Sequence, residues 1–236
     1  MKNKKIVLTG GACGGKSESI PLCKEGLINE GYSVNVLEET ANSLLSMGFS
    51  PKSNISVFDF QHLLFNIQFL REYYLEGQSN ILICDRGLLD GKVYLGSDSF
   101  NRILELNNLD EQTIKSTYDR AIYFKSIVHD YPELFREKRP YDDIDATIRR
   151  DLLCKDIWLD KIIDCEYDNL EGFSRKQELL YKSLMREIKL LQEESSSLSD
   201  YYDIEYLKFI RNGIDTILNS NDISQDIKIK TKGLVE

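Results

Sequence analysis

Residues 10–17 read Gly-Gly-Ala-Cys-Gly-Gly-Lys-Ser, and this stretch decides the fold. The pattern G-x-x-x-x-G-K-[ST] is matched at every fixed position. Directly before it, Lys4 to Thr9 is a short β-rich run that is typical of a buried parallel strand. Directly after it, Lys16 to Asn29 places its apolar residues at helical spacing. A strand, a glycine loop and a helix in this order predict a loop that binds phosphate.

Each part of this loop suits the binding of a nucleoside triphosphate. Glycines let the backbone turn tightly, so that successive N–H groups point at phosphate oxygens, and the amino end of the helix adds partial positive charge. Lys16 is expected to contact the β- and γ-phosphates, and the Ser17 hydroxyl to ligate Mg²⁺. We therefore predict that ATP or GTP binds with Mg²⁺ to Gly10, Gly11, Ala12, Cys13, Gly14, Gly15, Lys16 and Ser17. The alternative is a glycine-rich turn that binds nothing.

Strands and helices alternate along the rest of the chain. The pattern predicts strands at Tyr32–Leu37, Asn80–Cys84 and Ala121–Phe124, a weaker one at Lys161–Asp164, and helices at Ala41–Met47, Val57–Leu75 and Gln177–Leu191. Such alternation favours an α/β protein with the P-loop NTPase fold, in which a parallel sheet carries helices on both faces.

The composition changes after the last of these helices. Residues 193–200 (EESSSLSD) read as a polar linker, and Tyr201 to Leu218 reads as one more helical segment. We therefore predict a nucleotide-binding, kinase-like domain over residues 1–192, followed by a linker and a short C-terminal helical extension over residues 193–236.

Composition argues against several classes of protein. A chain of 236 residues that is 42% hydrophobic suits one globular domain with an appendage. A net charge of −9 argues against a polycation that binds nucleic acid, and the apolar runs are too short for a transmembrane segment. Five cysteines without a C-x-x-C pair and two distant histidines argue against a disulfide framework and a structural zinc site. The expected location is the cytoplasm.

Two acidic signals fall where predicted strands end, which is where α/β proteins collect their ligands. Asp85 follows the strand NILIC and could hold Mg²⁺ through water or act as a base, with Arg86 beside it to neutralise phosphate charge. Glu39 ends the strand YSVNVL and could accept a proton from an acceptor hydroxyl. The alternatives are an ordinary turn aspartate with a surface arginine, and a solvent-facing pair of Glu38 and Glu39.

A cluster of basic residues lies between residues 136 and 150. Phosphate-transfer enzymes of this architecture often close a mobile, arginine-bearing segment over the γ-phosphate, which excludes water and stabilises charge. The candidates for such a lid are Arg136, Arg139, Arg149 and Arg150. A solvated charged face is the alternative.

Three motifs in this order resemble a known family. GGACGGKS, then LEETA at residues 37–41 and ICDRGLLDGKVY at residues 83–94, are similar to the NadR-like P-loop ATPase and kinase domains. That group includes ribosylnicotinamide kinase domains and the nucleotide-binding domain of TRP-channel translocation-defect proteins. More distantly the chain resembles thymidylate and deoxynucleoside kinases.

The resemblance implies roles for individual residues. It implies a catalytic centre of Lys16, Glu39, Asp85 and Arg86, with Mg²⁺ held by Ser17 and Asp85, and with Asp90 and Tyr94 lining the acceptor side. The family often ends its last strand with an Asp-Asn pair. Here that place reads Asp164-Cys165, with Asp168-Asn169 displaced beyond it.

These observations favour a kinase that moves the γ-phosphoryl group of ATP or GTP to a nucleoside- or nucleotide-like small molecule. The alternatives are a regulatory NTPase or nucleotide-binding switch whose acceptor is only water, and a binding module that has lost turnover. The long apolar helix Val57–Leu75 could form the face of a homodimer, although a buried core helix is the better interpretation.

Overall fold

Four parallel strands form the central sheet in the order β2-β3-β1-β4. Strand β1 (Lys4–Thr9) pairs on one side with β3 (Ile81–Asp85) and on the other with β4 (Arg120–Tyr123), while β2 (Val34–Leu37) pairs with β3. The strand that leads into the glycine loop is therefore in the interior of the sheet, where its carboxyl end is flanked by those of two neighbours. The structure, a computed structural model, describes residues 3–51, 54–162, 172–191 and 204–218.

Helices connect and follow the strands. Within the described residues they are α1 (Lys16–Asn29), α2 (Thr40–Ser46), α3 (Val57–Leu75), α4 (Lys92–Leu95), α5 (Ser97–Leu106), α6 (Glu111–Ser116), α7 (Pro132–Lys138), α8 (Ile144–Ile157), α9 (Phe173–Leu190) and α10 (Ile204–Leu218). Short 3₁₀ turns stand at Leu88–Gly91 and Ile127–His129. None of the helices in the described ranges is long and apolar enough to cross a membrane.

Side chains of the strands alternate between two hydrophobic cores, one on each face of the sheet. On β1, Val7 belongs to the core that α3, α8 and α10 cover, whereas Ile6 and Leu8 belong to the core that α1 and α9 cover. Strands buried on both faces read as continuous apolar runs, which is why residues 6–8 (IVL) of β1 and residues 81–84 (ILIC) of β3 contain no polar side chain. The predicted parallel α/β sheet with helices on both faces is confirmed.

Helix α3 is the central helix that its sequence predicts. Most of its residues are buried, including Phe65, Ile67 and Phe69, which are at most 1% exposed. Helix α10 contributes Ile210 and Ile214 to the same core, so the predicted C-terminal helix packs with α3. The division of the chain at residue 192 stays a prediction.

The weaker strand predicted at Lys161–Asp164 is present in the described residues only as a single parallel bridge between Ile162 and Ala121. Both Asp-containing pairs considered for the end of that strand, at residues 164–165 and 168–169, lie outside the described residues, as does the predicted linker at 193–200.

Candidate functional site

The glycine loop joins β1 to α1 and is packed against the end of β4. Gly10 and Gly15 have φ angles of 125° and 88°, which side chains with a Cβ rarely adopt. A Cβ on Gly10 would lie 2.2 Å from the carbonyl oxygen of Phe124, and one on Gly14 would lie 2.6 Å from the same atom. The glycines are thus needed for the close approach of two backbones as well as for the turn.

Lys16 is folded back onto its own loop. Its Nζ donates hydrogen bonds to the carbonyl oxygens of Gly10 and Gly11 over 3.0 and 2.8 Å, and the residue is 7% exposed. Burial, together with the charge of Arg86, lowers the pKa of this amine. A phosphate group would supply the compensating negative charge that the loop carbonyls supply only in part.

Ser17 and Asp85 are joined by a hydrogen bond. The Ser17 hydroxyl donates to Oδ2 of Asp85 over 2.8 Å, and Oδ1 of Asp85 is buried with no hydrogen-bond partner among the residues that the structure describes. Burial raises the pKa of Asp85, against the lowering effect of the Ser17 hydrogen bond and the Lys16 charge. Hydroxyl and carboxylate oxygens are the ligands Mg²⁺ takes, and the unpartnered Oδ1 provides a further acceptor, so this pair fits the ion.

In the part of the chain that the structure describes, no group of three or more His, Cys, Asp or Glu side chains could hold a metal ion. A site with one hydroxyl and one carboxylate suits Mg²⁺, which usually keeps several waters and binds through substrate phosphates. Any Mg²⁺ here would therefore depend on the nucleotide for most of its ligands.

Arg86 contacts Glu39, Asp90 and the glycine loop. Its Nε donates to Oε1 of Glu39 over 2.7 Å, and its Nη1 donates to the carbonyl oxygen of Gly10 over 3.2 Å. The same Nη1 lies 3.6 Å from Oδ2 of Asp90. Glu39, Arg86 and Asp90 thus form one charged group directly beside the glycine loop.

Asp90 is held firmly within this group by further hydrogen bonds. Its Oδ1 accepts hydrogen bonds from Oγ1 of Thr9 over 3.0 Å and from Nε1 of Trp158 over 2.6 Å, and the residue is 2% exposed. Burial raises the pKa of Asp90, and the Arg86 charge opposes that rise. Tyr94, by contrast, is 46% exposed.

One cavity of about 1270 Å³ contains most of the predicted site residues. The whole loop from Gly10 to Ser17 lines it, as do Glu39, Arg86, Asp90 and Tyr94. Asp85 does not line the cavity itself and reaches it through Ser17. The volume exceeds the range of about 300–1,000 Å³ that is usual for one small ligand, which leaves room for a nucleotide and a second molecule.

The four predicted lid arginines divide into two groups. Arg139, which follows α7, and Arg150, on α8, line the cavity, and the Arg150 guanidinium lies 5.8 Å from the centre of the Tyr94 ring. Arg136 and Arg149 are exposed and lie outside the lining of this cavity. The structure thus places two of the four in the lining of the cavity that the nucleotide loop also lines.

Sequence reasoning assigned no role to Asp151, which the structure places in contact with the glycine loop. This fully buried carboxylate on α8 accepts a hydrogen bond from the Gly11 N–H through Oδ1. Its Oδ2 receives the Tyr123 hydroxyl at 2.5 Å and the Ser126 N–H at 3.3 Å, and lies 2.7 Å from Nε2 of His129. Asp151 therefore fastens α8 to the loop.

Lys176 was also missed. It extends from α9, and its Nζ donates to the carbonyl oxygens of Gly14 and Lys125 over 2.9 and 3.0 Å. It is 2% exposed, lines the cavity, and burial lowers its pKa to about 8. No motif surrounds Asp151 or Lys176 in the sequence, so sequence reasoning had no signal by which to find them.

A family model described as an AAA domain matches residues 5–163 of the chain. The matched segment runs from β1 to the bridge at Ile162, so it includes the loop, Glu39, Arg86 and α8. A comparison with curated proteins gives no match. Because the family model covers well over half of the chain and the loop has the geometry described above, the chain belongs to this AAA-domain family and is a nucleotide-binding P-loop protein.

Proposed function

We propose that the protein is a P-loop kinase that transfers the γ-phosphoryl group of ATP or GTP to a nucleoside- or nucleotide-like small molecule. The observation that carries this proposal is the shape and lining of the cavity. Beyond the loop and the charged group it continues between α2, α3 and α4, where Leu45, Val57, Phe60, Leu64 and Val93 line it. Attack by water needs no apolar compartment, whereas a bound organic acceptor does.

The glycine loop with Lys16, and Arg86, are proposed to stabilise the negative charge of the phosphates. Lys16 exchanges the carbonyls of Gly10 and Gly11 for the β- and γ-phosphate oxygens, which gives the buried ammonium a full negative partner. Arg86 is aimed at the same place by its contact with Gly10 and neutralises charge on the transferred group. When bound by Ser17 and Asp85, Mg²⁺ supplies further neutralisation of the phosphates.

Glu39 is the proposed base for the acceptor hydroxyl. It ends up beside the loop because β2 lies next to β3 in the sheet, and it lines the cavity. Arg86 binds Oε1 of Glu39, and Nδ2 of Asn42 donates to Oε2 over 2.8 Å, so the carboxylate is oriented from both sides. A base oriented in this way suits proton acceptance in the transition state.

Arg139 and Arg150 are the proposed lid cations, since these two line the cavity. Their approach to the γ-phosphate would exclude water and favour transfer to the bound acceptor over hydrolysis. Asp90 and Tyr94, which also line the cavity, are the proposed contacts of the acceptor.

The test is acceptor-dependent transfer of label. Purified protein with Mg²⁺ and γ-labelled ATP or GTP is incubated with nucleosides, nucleotides, ribosylnicotinamide and polar lipid head groups. Label on one acceptor, lost in Lys16→Ala and retained in Lys182→Ala, is the expected result; Lys182 is an exposed lysine on α9 and serves as the matched control. Label that appears only as free phosphate would contradict the kinase and support the second candidate.

That second candidate is a regulatory NTPase whose acceptor is water. The specific observation in its favour is the hydrogen bond from the Gly11 N–H to Asp151, which couples the nucleotide loop directly to α8. A change in the loop on hydrolysis would be transmitted to that helix. Slow hydrolysis without any acceptor effect, accompanied by movement of α8, would be its signature.

A further inference from the structure

The turn that follows β3 is held at both ends by buried side chains. Nε2 of Gln68 donates a hydrogen bond to the carbonyl oxygen of Arg86 over 2.9 Å. Two residues later, the N–H of Leu88 donates to the hydroxyl oxygen of Tyr118 over 2.9 Å. Side chains from α3 and from the loop between α6 and β4 thus replace the backbone partners that a turn lacks.

Glu72 joins these two side chains into one network. Its Oε1 accepts hydrogen bonds from Nε2 of Gln68 over 2.9 Å and from the Tyr118 hydroxyl over 2.8 Å. Its Oε2 lies 3.3 Å from Nζ of Lys5. All four residues are at most 2% exposed. This buried carboxylate is costly to disturb, because removing any one partner leaves a buried hydrogen-bonding group unsatisfied.

The network supports an unusual backbone conformation. Arg86 has a φ angle of 76°, in the left-handed region that residues with a Cβ seldom occupy. Such a conformation persists only where the surrounding structure holds it in place. Here it is what sends the guanidinium of Arg86 towards Glu39 and the carbonyl oxygen of Gly10.

We propose that Gln68 and Tyr118, linked through Glu72, are positioning residues that hold the turn after β3 so that Arg86 points at the transferred phosphoryl group. The inference rests on the proposed phosphotransfer for its kinetic consequence. None of the three touches the reacting atoms in this scheme. Tyr118 is fully buried and does not line the cavity, so an effect of Tyr118 on turnover has to pass through other residues.

The kinetic test uses Tyr118→Phe, which removes one hydroxyl and keeps the ring. We expect kcat to fall about tenfold or more, while the KM for the Mg²⁺–nucleotide changes by less than about twofold, because misplacement of a charge-stabilising group affects the transition state most. Tyr181→Phe is the matched control, since it removes a phenolic hydroxyl that is likewise bonded to the backbone, here by donating to the carbonyl oxygen of Gly26 on the other face of the sheet. A kcat equal to that of the control would overturn the proposal.

A second arm separates positioning from loss of stability. In an Arg86→Ala background, adding Tyr118→Phe should leave kcat unchanged, because no guanidinium remains to be positioned. A further fall of the same size as in the wild-type background would overturn the proposal and leave Tyr118 a structural residue.

A third arm does not depend on turnover. The Nε–H resonance of Arg86 in a ¹⁵N spectrum, identified by its loss in Arg86→Ala, reports the hydrogen bond to Glu39. It should shift or broaden in Tyr118→Phe and in Gln68→Leu and stay in place in Tyr181→Phe; an unchanged resonance in both variants overturns the proposal. Absence of label transfer by the wild type would contradict the proposed function alone, because this resonance still decides whether the network positions Arg86.

Discussion

Oδ2 of Asp85 accepts a hydrogen bond from the Ser17 hydroxyl over 2.8 Å, while Oδ1 of the same carboxylate is buried and has no partner within the described part of the chain. Such an atom is costly for folding unless a ligand uses it. Because the pair lies where β3 and the glycine loop meet, the unfavourable burial falls where a metal–nucleotide complex would relieve it.

Replacing Asp85 by Asn should therefore have opposite effects on activity and stability. Turnover should fall by about tenfold or more, with nucleotide affinity in the absence of Mg²⁺ changed by less than about twofold. The thermal midpoint at pH 7 should rise by a few degrees, about 2–4 °C for each kcal/mol, because a desolvated charge is removed. Label transfer, equilibrium binding and calorimetry measure the three quantities, with Asp98→Asn on α5 as an exposed control.

The stability difference between Asp85→Asn and the wild type should depend on pH, and its sign follows from the raised pKa of Asp85. An acid whose pKa is higher in the folded state destabilises the fold when it is ionised, and this cost disappears as pH falls towards the unfolded pKa of about 3.9. The stability advantage of Asp85→Asn should therefore shrink as pH falls from 7 towards about 3.9. Unchanged turnover would assign Asp85 a structural role instead.

The lowered pKa of Lys176 predicts that stability changes with pH in the alkaline range. Its pKa is lowered from 10.5 to about 8 by burial, so between these values the unfolded chain binds more protons than the folded one. The free energy of unfolding of the wild type, relative to Lys176→Met, should rise from pH 8 to pH 10 by up to about 1.4 kcal/mol per pH unit. Urea unfolding across this range measures it. For the exposed Lys182→Met, the free energy of unfolding should depend on pH in the same way as in the wild type. If Lys176→Met also follows the wild type in parallel, the lowered pKa of Lys176 is contradicted.

The hydrogen bond between the Gly11 N–H and Asp151 predicts coupling between α8 and the glycine loop. In Asp151→Asn the charge that faces His129 and the Tyr123 hydroxyl is lost, and the free energy of unfolding should fall by about 1–3 kcal/mol. Nucleotide affinity should fall as well, since the Gly11 N–H loses its charged acceptor. Asp145→Asn, at an exposed position on the same helix, should change neither quantity appreciably. Equal behaviour of the two variants would disprove the coupling.

The lid arginines give a comparison between neighbours. Arg150→Ala and Arg139→Ala should each lower kcat for phosphoryl transfer by about tenfold or more, because these two residues line the cavity. Arg149→Ala, one position from Arg150 but outside the lining, should stay within about twofold of the wild type. If Arg149→Ala is the damaging variant, the lid closes with a different face of α8.

The sequence alone predicted the parts of the fold that carry strong local signals. Helices α1 and α3 have the predicted bounds, since a glycine loop before one and a serine cap before the other mark where each begins. Strand β1 also has its predicted bounds, whereas the other three strands start one or two residues from the predicted positions, as for β2, which starts at Val34 rather than Tyr32. Helices α4 to α8 were not predicted; of these, α4, α6 and α7 have seven residues or fewer, which offer too few turns for a period to be recognised.

For the site, topology explains what was predictable. Asp85 and Ser17 could be brought together in advance, because Asp85 ends β3 and Ser17 follows the loop that leaves the carboxyl end of β1, and a parallel sheet places these two strand ends side by side. The contact between Gly11 and Asp151 spans 140 positions and starts from the middle of a helix, where no rule of strand order applies. Lys176 belongs to the same class, because its role depends on how α9 packs rather than on its neighbours in the chain.

Trp158 is the single tryptophan of the chain, and its indole N–H is bound to Asp90 beside the charged group of the site. Light absorbed selectively by this ring therefore excites one chromophore at one known place. Its emission will change when the electric field around Asp90 changes, as it must when a triphosphate arrives near Arg86. The native protein thus contains its own optical probe of ligand arrival, which allows binding to be followed in real time without a label.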